Sequence, residues 1–342
     1  MDAVILERFG GPEALRHGQV DRPAFRADQM LVRVAACGIC GHDLLNRAGH
    51  FGATRLPAVM GHEIAGTVER VGDLVNQFKP GDRVALLQRQ PCGLCRSCRA
   101  GRENLCRSGA GFYGEEISGG YGEYVVASER NAVLLPPGIP FHLGAVLSCA
   151  VGTGFHALLR ARLHAGEAVV ITGASGGVGI NTVQIAKLMG LRTFAITASA
   201  GKESELRKAG ADEVIVTPDC EFHERVRAAT AGEGAAAVIE IAGAPTFASS
   251  IRSVRAGGRV VLVGNVAPGR VAFNPAVSIL KEIEFIGSGH AVLTDLREVI
   301  NLVEHQRLAP PIAATLPLTE AASAHRLLES RSTIGRYVLT HA

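Results

Sequence analysis

The sequence lacks a strong net charge, a cluster of basic residues and a long apolar run. Lys and Arg number 35 and Asp and Glu number 32, so the formal charge is only +3. This balance gives no electrostatic reason to expect binding to nucleic acid or to an anionic membrane. The first residues carry an acid at Asp2 and only four consecutive apolar residues, too few for the apolar region of a secretory signal. Since we find no apolar run long enough to span a bilayer, we expect a cytoplasmic protein with no membrane partner.

Internal repeats and low-complexity linkers are also lacking, and the remaining composition is that of a globular enzyme. With 342 residues the chain is long for a single core, so roughly two domains are expected. Hydrophobic residues make up 47% and charged residues 20%, which fits a globular protein rather than a disordered or fibrous one.

Two sequence textures divide the chain near residue 150. Up to that point short β-branched runs are broken by Gly and Pro, which is typical of a small all-β domain with long loops. The predicted strands there are Met30–Ala36, Ile64–Val71, Arg83–Leu87 and Tyr124–Ala127. From about 151, strands alternate with helices, which predicts βαβ units and a parallel sheet. The predicted elements there are the strands Ala168–Thr172, Arg192–Thr197 and Gly257–Gly264 and the helix Ile180–Met189. After about 289 we predict a helix over Leu293–Glu304 and a last strand over Arg336–Thr340.

Four cysteines lie within fifteen positions, at Cys92, Cys95, Cys98 and Cys106. Zinc prefers four tetrahedral ligands, and an all-cysteine set is typical of structural zinc sites. We therefore predict a structural zinc; the alternatives are disulfides, which a reducing compartment disfavours, and unrelated buried thiols. Four nearby basic residues are expected to lower the pKa values of these thiols: Arg96, Arg99, Arg102 and Arg107.

The neighbouring pair His62 and Glu63 lies between an apolar entry and Gly66. Taken alone, a histidine in this setting is more often a hydrogen-bonded core residue than a metal ligand. A second metal site would need partners from elsewhere in the chain. Cys40 follows a predicted strand and could either pair with Cys37 or act as a ligand carried on the next loop, and the spacing does not decide between them.

A glycine-rich turn connects a buried strand to a helix over Val169–Gly179. This is a dinucleotide fingerprint in which Ala174 replaces the first glycine of the simplest form. Backbone amides and the positive end of the helix would receive the pyrophosphate. The predicted cofactor contacts in the turn are Gly173, Ser175, Gly176, Gly177, Val178 and Gly179.

The end of the second strand of this domain carries no acidic residue. An acid there normally bonds the adenosine ribose of NAD and would repel a 2′-phosphate. Thr197 ends the strand, and Ser199 and Lys202 could contact a phosphate instead. The sequence therefore predicts NADP(H) in preference to NAD(H), and a promiscuous site is the alternative.

The run Gly61-His62-Glu63-x2-Gly66-x5-Gly72-x2-Val75 matches the zinc signature of the medium-chain alcohol dehydrogenase-like superfamily at every fixed position. The cysteine lobe, the Gly-Ile-Cys segment before it and the nucleotide fold after it follow in the family's order. The resemblance implies a GroES-like β-barrel catalytic domain, 1–150 completed by 289–342, and a Rossmann domain over 151–288.

The resemblance also implies roles for individual residues. Cys40, His62 and Cys149 would bind a catalytic zinc, leaving one position open for a carbonyl or alkoxide oxygen. Asp43 would orient His62 through its other ring nitrogen, and Glu63 could approach the metal during ligand exchange. The lobe would bind the second of about two zinc ions per chain. Further cofactor contacts are implied at Thr153, Val263, Ser288 and Arg336.

His42 departs from the family pattern, because many alcohol dehydrogenases place a serine or threonine there to relay the alcohol proton. A histidine can also move protons near neutral pH, so His42 is either a relay or a wall of the pocket. Together with Phe112–Glu116, Val169–Gly179 and Val263–Val266, this departure resembles the branch that includes acryloyl-CoA reductases, which reduce an activated C=C bond.

We therefore predict a zinc-dependent NAD(P)(H) oxidoreductase that transfers hydride between the nicotinamide and a zinc-bound alcohol, aldehyde or ketone. The first alternative is an enoyl-thioester or enone reductase on the same scaffold. A more remote one is a non-enzymatic protein that uses the cysteine lobe as an interaction module. The expected partner is a small-molecule substrate, and the family suggests a homodimer or homotetramer.

Overall fold

A long antiparallel pair of strands, Met30–Ile39 and Glu63–Val71, lies at the centre of the first of two units in the computed structural model. The structure describes residues 1–265 and 269–341. The first unit comprises Met1–Gly152 and His290–Ala342, and the second comprises Thr153–Gly289. Val266, which belongs to one segment of the acryloyl-CoA reductase resemblance, lies outside the described residues.

Eighteen strands and eleven α-helices are found in the described part of the chain. The strands are β1 (Asp2–Leu6), β2 (Leu15–Gln19), β3 (Met30–Ile39), β4 (Ala58–Val59), β5 (Glu63–Val71), β6 (Arg83–Leu86), β7 (Arg89–Gln90), β8 (Gly111–Phe112), β9 (Tyr124–Ala127), β10 (Ala132–Leu134), β11 (Ala168–Ile171), β12 (Arg192–Thr197), β13 (Glu213–Val216), β14 (Ala235–Glu240), β15 (Val254–Leu262), β16 (Glu284–Gly287), β17 (Ile312–Pro317) and β18 (Arg336–Thr340). The helices are α1 (Gly41–Arg47), α2 (Arg96–Arg99), α3 (Phe141–Val146), α4 (Gly152–Ala161), α5 (Gly177–Leu188), α6 (Glu203–Lys208), α7 (His223–Ala229), α8 (Ala244–Ser253), α9 (Pro275–Lys281), α10 (Leu293–Glu304) and α11 (Ala321–Glu329).

The main sheet of the first unit has the order β10-β6-β5-β3-β18-β17, with β9 also paired to β3. A smaller sheet has the order β2-β1-β4. Strand β3 continues three residues beyond the predicted end at Ala36, because β5 and β18 flank it on both sides there. Cys37 lies opposite Ile64 on one side and Leu339 on the other. This extension brings the end of β3 next to the start of β5.

The second unit contains a six-stranded parallel sheet with the order β13-β12-β11-β14-β15-β16. All six residues of β14 are buried, as expected for a central strand of a parallel sheet covered by helices on both faces. The apolar core here includes Val170, Phe194 and Val238. The sheet reverses its strand order between β11 and β14, which is the doubly wound arrangement. The predicted α/β fold with a Rossmann sheet is confirmed.

One helical run, Phe141–Ala161, is long and apolar enough to cross a membrane when judged by length and composition alone. From the sequence we found no apolar run of this length, and by length and composition that statement was wrong. Its most apolar window is 72% buried inside the protein, which is common for a core helix. Leu147–Val151 within this run forms a π-helical turn between α3 and α4. The cytoplasmic location stays a prediction.

Candidate active site and metal centres

The end of β3 and the start of β5 bring Cys40 and His62 together. The two strands are antiparallel, with Gly38 opposite Glu63, so the residues just beyond Gly38 face those just before Glu63. The Cys40 Sγ lies 3.4 Å from His62 Nε2. Both side chains are buried. The alternative in which Cys40 forms a disulfide with Cys37 is not found, since both thiols are free.

Cys149 reaches the same place from the π-helical turn. One ligand atom each from Cys40, His62, Glu63 and Cys149 lies within 4.8 Å of the others. Gln88 donates a hydrogen bond of 2.9 Å to the carbonyl of Ser148, which ties the turn to the segment after β6. Single π-helical turns inside helices are frequent at functional sites. Two thiols, an imidazole and a carboxylate are a donor set that suits zinc.

Asp43 connects two of the predicted zinc ligands. Its Oδ1 lies 3.1 Å from His62 Nδ1, and its Oδ2 accepts a 2.9 Å hydrogen bond from the Cys40 amide. Because Nδ1 is taken by the carboxylate, Nε2 is the nitrogen presented to the thiols. Burial lowers the pKa of His62, but the Asp43 and Cys40 charges more than offset this, so the pKa is raised well above its usual value.

The Cys40 and Cys149 thiols have pKa values that are shifted in opposite directions. A hydrogen bond from Cys149 is the main reason why the pKa of Cys40 is well below its usual value, and the neighbouring His62 and Arg336 charges add to this effect. The pKa of Cys149 is raised by the same hydrogen bond and by burial.

Glu63 is fully buried and paired with Arg336. The Arg336 Nη2 lies 2.8 Å from Glu63 Oε1, and Nε donates a hydrogen bond to the same oxygen at 3.0 Å. Burial raises the pKa of Glu63 to about 7, although Arg336 opposes the shift. Gly38 is required beside it, because a Cβ there would lie 2.1 Å from Glu63 Oε2. The sequence predicted Arg336 as a cofactor contact; within its own unit it contacts Glu63, with Nη2 4.0 Å from Cys149 Sγ.

The four cysteines of the lobe converge on a second candidate metal centre. Cys92, Cys95, Cys98 and Cys106 have their Sγ atoms within 4.8 Å of one another. The Sγ separations are 3.5 Å for Cys95–Cys98 and 3.9 Å for Cys92–Cys98 and for Cys95–Cys106. A zinc ion with Zn–S bonds of about 2.3 Å needs separations of roughly 3.8 Å. All four thiols are free, so the disulfide alternative is not found.

The arginines of the lobe do not account for the thiol pKa values, contrary to our prediction. Hydrogen bonds from the backbone amides of Leu94 and Cys95 lower the pKa of Cys92 to about 6. Burial and the hydrogen bond with Cys95 raise the pKa of Cys98 to about 12. The lobe therefore prepares a thiolate through its tight turn, whose amides point at the sulfur.

Aromatic rings surround His62 on the side of α1. His42 stacks on Phe51 with ring centroids 4.4 Å apart, and its Nε2 is hydrogen-bonded to Glu115. Phe112 lies 5.1 Å from the His42 ring and 5.2 Å from the His62 ring. The sequence identified His42, but it gave no role to Phe51 or Glu115. These two come from loops distant in sequence; Glu115 belongs to the Phe112–Glu116 segment of the resemblance, and no sequence pattern pointed to Phe51.

The glycine-rich turn of the second unit has the form needed to receive a phosphate. Gly173 has a φ of 58°, and Gly176 precedes the first residue of α5 with no side-chain cap on the helix. A Cβ at Gly179 would lie 2.3 Å from the Gly173 carbonyl oxygen, so only glycine allows helix and turn to pack this closely. The uncapped amides at the start of α5 can bind a pyrophosphate, together with Ser175 and Val178 of the same turn.

The other predicted cofactor residues of the second unit lie at the ends of its elements. Thr197 is buried at the end of β12, and its Oγ1 is hydrogen-bonded to Ser175 Oγ at 3.2 Å. Ser199 is exposed, and Lys202, like Val263, is half-buried. The Thr153 and Ser288 hydroxyls are buried, and neither finds a hydrogen-bond partner among the described residues. Buried hydroxyls without partners fit a site whose ligand supplies the missing hydrogen bonds.

Comparison with known proteins agrees with this arrangement. Residues 26–137 match the alcohol dehydrogenase GroES-like domain family, and residues 177–305 match the zinc-binding dehydrogenase family. An acryloyl-coenzyme A reductase of Metallosphaera sedula is 34% identical over 99% of this chain and 100% of its own length. An NAD-dependent alcohol dehydrogenase of Sulfurisphaera tokodaii is 32% identical over 99% of both chains. The crystal structure of AibC superposes with a TM-score of 0.94 and 42% identity, covering 100% of this chain and 96% of that one.

These matches extend over both units and include the predicted GroES-like domain. They set aside a non-enzymatic zinc protein, because the matching families are oxidoreductases that use a nicotinamide cofactor. The chain belongs to the zinc-type medium-chain dehydrogenase/reductase superfamily, the alcohol dehydrogenase-like oxidoreductases.

Proposed function

We propose that this oxidoreductase reduces the activated C=C bond of an enoyl thioester, with NADPH as the hydride donor. The observation that carries the proposal is the imidazole–carboxylate pair of His42 and Glu115 inside a wall of aromatic rings. By the family resemblance, His42 stands at the position where many alcohol dehydrogenases carry a hydroxyl relay. The similarity to an acryloyl-coenzyme A reductase over the whole chain supports the same substrate class.

Cys40, His62 and Cys149 would hold the catalytic zinc, with Asp43 orienting His62 and Arg336 holding Glu63 close by. When bound, zinc supplies a Lewis acid for a substrate oxygen. A bound NADPH would supply the hydride for the β-carbon of the enoyl group. The α-carbon takes a proton, and the products are the saturated thioester and NADP⁺.

His42 and Glu115 are the residues that would deliver this proton. The Nε2 atom of His42 is hydrogen-bonded to Glu115, so its Nδ1 atom is the ring nitrogen left for the substrate. The stack on Phe51 fixes the plane of the imidazole. Because the ring is held on one face and at one nitrogen, it can present a proton at a defined position, which general acid catalysis requires.

A substrate panel run with NADPH tests the proposal. We expect acryloyl-CoA to be reduced with a kcat/KM roughly 100-fold or more above that of propanal and other simple aldehydes. Simple enones without the CoA moiety should lie between the two. An aldehyde that is turned over faster than every C=C substrate would overturn the proposal.

Turnover of an alcohol, aldehyde or ketone is the second candidate, and the sequence motifs alone placed it first. The observation behind it is the donor set of two thiols, an imidazole and a nearby carboxylate, which could hold a zinc ion that binds an alcohol or carbonyl oxygen. The alcohol dehydrogenase of Sulfurisphaera tokodaii is similar over the same length. In that case His42 would relay the alcohol proton to Glu115.

The preference for NADP(H) belongs to the same proposal. The segment from Thr197 to Lys202 carries no acid, and Ser199 is exposed at the end of β12. We expect kcat/KM for NADPH to exceed that for NADH, and a preference for NADH beyond about tenfold would contradict the assignment. A homodimer or homotetramer stays a prediction, which light scattering of the purified protein would check.

A further inference from the structure

His290 has a backbone conformation that its position does not explain. Seven non-glycine residues of the described chain have a positive φ. Five of them follow or cap the end of a helix, where a left-handed residue is ordinary: Arg162, Ala231, Glu282, Gln306 and Arg331. His290, with a φ of 57°, lies between the end of β16 and the start of α10. Such a residue points to a functional requirement on its side chain.

The His290 ring belongs to the aromatic wall around His62. Its centroid lies 5.0 Å from the Phe112 ring, and Phe112 lies 5.2 Å from the His62 ring. Burial, together with the neighbouring His42 and His62, lowers the pKa of His290 to about 3. The ring is therefore a neutral imidazole, with one N–H donor and one acceptor nitrogen.

No hydrogen bond to either nitrogen of His290 is found within residues 1–265 and 269–341. On one side the ring lines a small cavity together with Gln88, Arg89 and Glu103. On the other it faces Phe112, which cannot pair with it. The ring is half-buried and its nitrogens are accessible, so a ligand can accept a hydrogen bond from it without displacing a protein partner.

We propose that His290 contacts the substrate and donates a hydrogen bond from its imidazole N–H to the acyl oxygen of the enoyl thioester. This inference rests on the proposed function. Negative charge develops on that oxygen as hydride reaches the β-carbon, and a fixed donor stabilises this charge more than it stabilises the ground state. The left-handed backbone holds the donor in place before the substrate arrives.

His290→Phe keeps an aromatic ring and removes the donor, whereas His290→Asn keeps a donor on a residue that tolerates a positive φ. We expect His290→Phe to lower kcat on acryloyl-CoA by about 10²–10³-fold, with a much smaller change in KM. His290→Asn should recover at least about tenfold of that loss. Binding of propionyl-CoA, followed by calorimetry, should change by less than about threefold in both variants, since the donor acts mainly on the developing charge.

Two glycine variants separate the contact from a structural role. Gln306 is exposed and has a φ of 55°, so Gln306→Gly relieves the same backbone conformation away from the site. Gln306→Gly should keep or raise the melting temperature, whereas in His290→Gly the relieved backbone is offset by the lost packing of the ring on Phe112. Only His290→Gly should lose turnover.

The proposal is overturned if His290→Phe keeps kcat within about threefold of the wild type, or if its loss follows a fall in melting temperature or zinc content. Failure of the proposed function has a different signature, because the wild type would then prefer an aldehyde to acryloyl-CoA. The Phe and Asn variants would in that case be compared on the preferred aldehyde, whose oxygen develops the same charge.

Discussion

Replacing Asp43 by Asn should weaken zinc binding at the catalytic site and leave the cysteine lobe unchanged. The carboxylate is 1% exposed and accepts two hydrogen bonds, from His62 Nδ1 at 3.1 Å and from the Cys40 amide at 2.9 Å. An amide in its place can present its NH₂ group to Nδ1, which then favours the wrong tautomer with Nε2 protonated. Loss of such a supporting group typically costs 10–100-fold in metal affinity, or about 1.4–2.7 kcal/mol.

The assay is a chelator titration of the purified holoprotein that resolves the two zinc ions. In Asp43→Asn one of the two transitions should move by about 10–100-fold in chelator concentration, and the other should stay in place. Asp295→Asn is a matched control, because Asp295 is also buried and accepts a 2.8 Å hydrogen bond from a backbone amide, at Val292. It should lower stability and leave both transitions unchanged. Equal shifts of both transitions in Asp43→Asn would refute the reasoning.

Three other variants test the remaining parts of the structure. Cys40→Ser should reduce the zinc content from about two ions per chain to about one, as measured by metal analysis, and should abolish turnover. Retained activity in this variant would overturn the ligand assignment. His325 is fully buried and accepts a hydrogen bond from Arg47, and its burial lowers the pKa from 6.5 to about 4. The unfolded state therefore binds more protons between these pH values, so stability should fall by about 3 kcal/mol as the pH falls from 6.5 to 4. Denaturant titrations should show a flatter pH dependence in His325→Asn, and identical slopes would contradict this. Gly179→Ala places a Cβ 2.3 Å from a backbone oxygen, whereas the Cβ of Gly201→Ala meets nothing within 4 Å. In a fluorescence titration, Gly179→Ala should weaken NADPH binding by at least about tenfold, and Gly201→Ala should not.

The cysteine lobe was the part of the site that local sequence described best. Its four thiols lie within fifteen positions, and tight turns alone can bring them together. Our prediction that arginines lower the pKa of Cys92 was nevertheless wrong. Backbone amides at Leu94 and Cys95 lower it, and spacing shows where an amide is but not where it points.

The catalytic cluster could be predicted only in part from local patterns. The approach of Cys40 and His62 follows from an antiparallel pair, once the true length of β3 is known. Cys149 came only from the resemblance, because a π-helical turn leaves no periodic signal. Arg336 lies 273 positions from Glu63, so nothing near either residue indicated their ion pair.

The candidate metal donors and the aromatic rings of this site come from different kinds of structural element. The metal donors come from the ends of paired strands and from a buried helical turn, where a shifted register would move the core as well. The rings that face them come from loops and a two-residue strand, at Phe51, Phe112 and His290. Loops accept substitution at low cost to the core, so the rings can change while the donors stay. Relatives named as a C=C reductase and as an alcohol dehydrogenase can therefore be similarly related to this chain, and we expect substitutions at those rings to change its substrate preference.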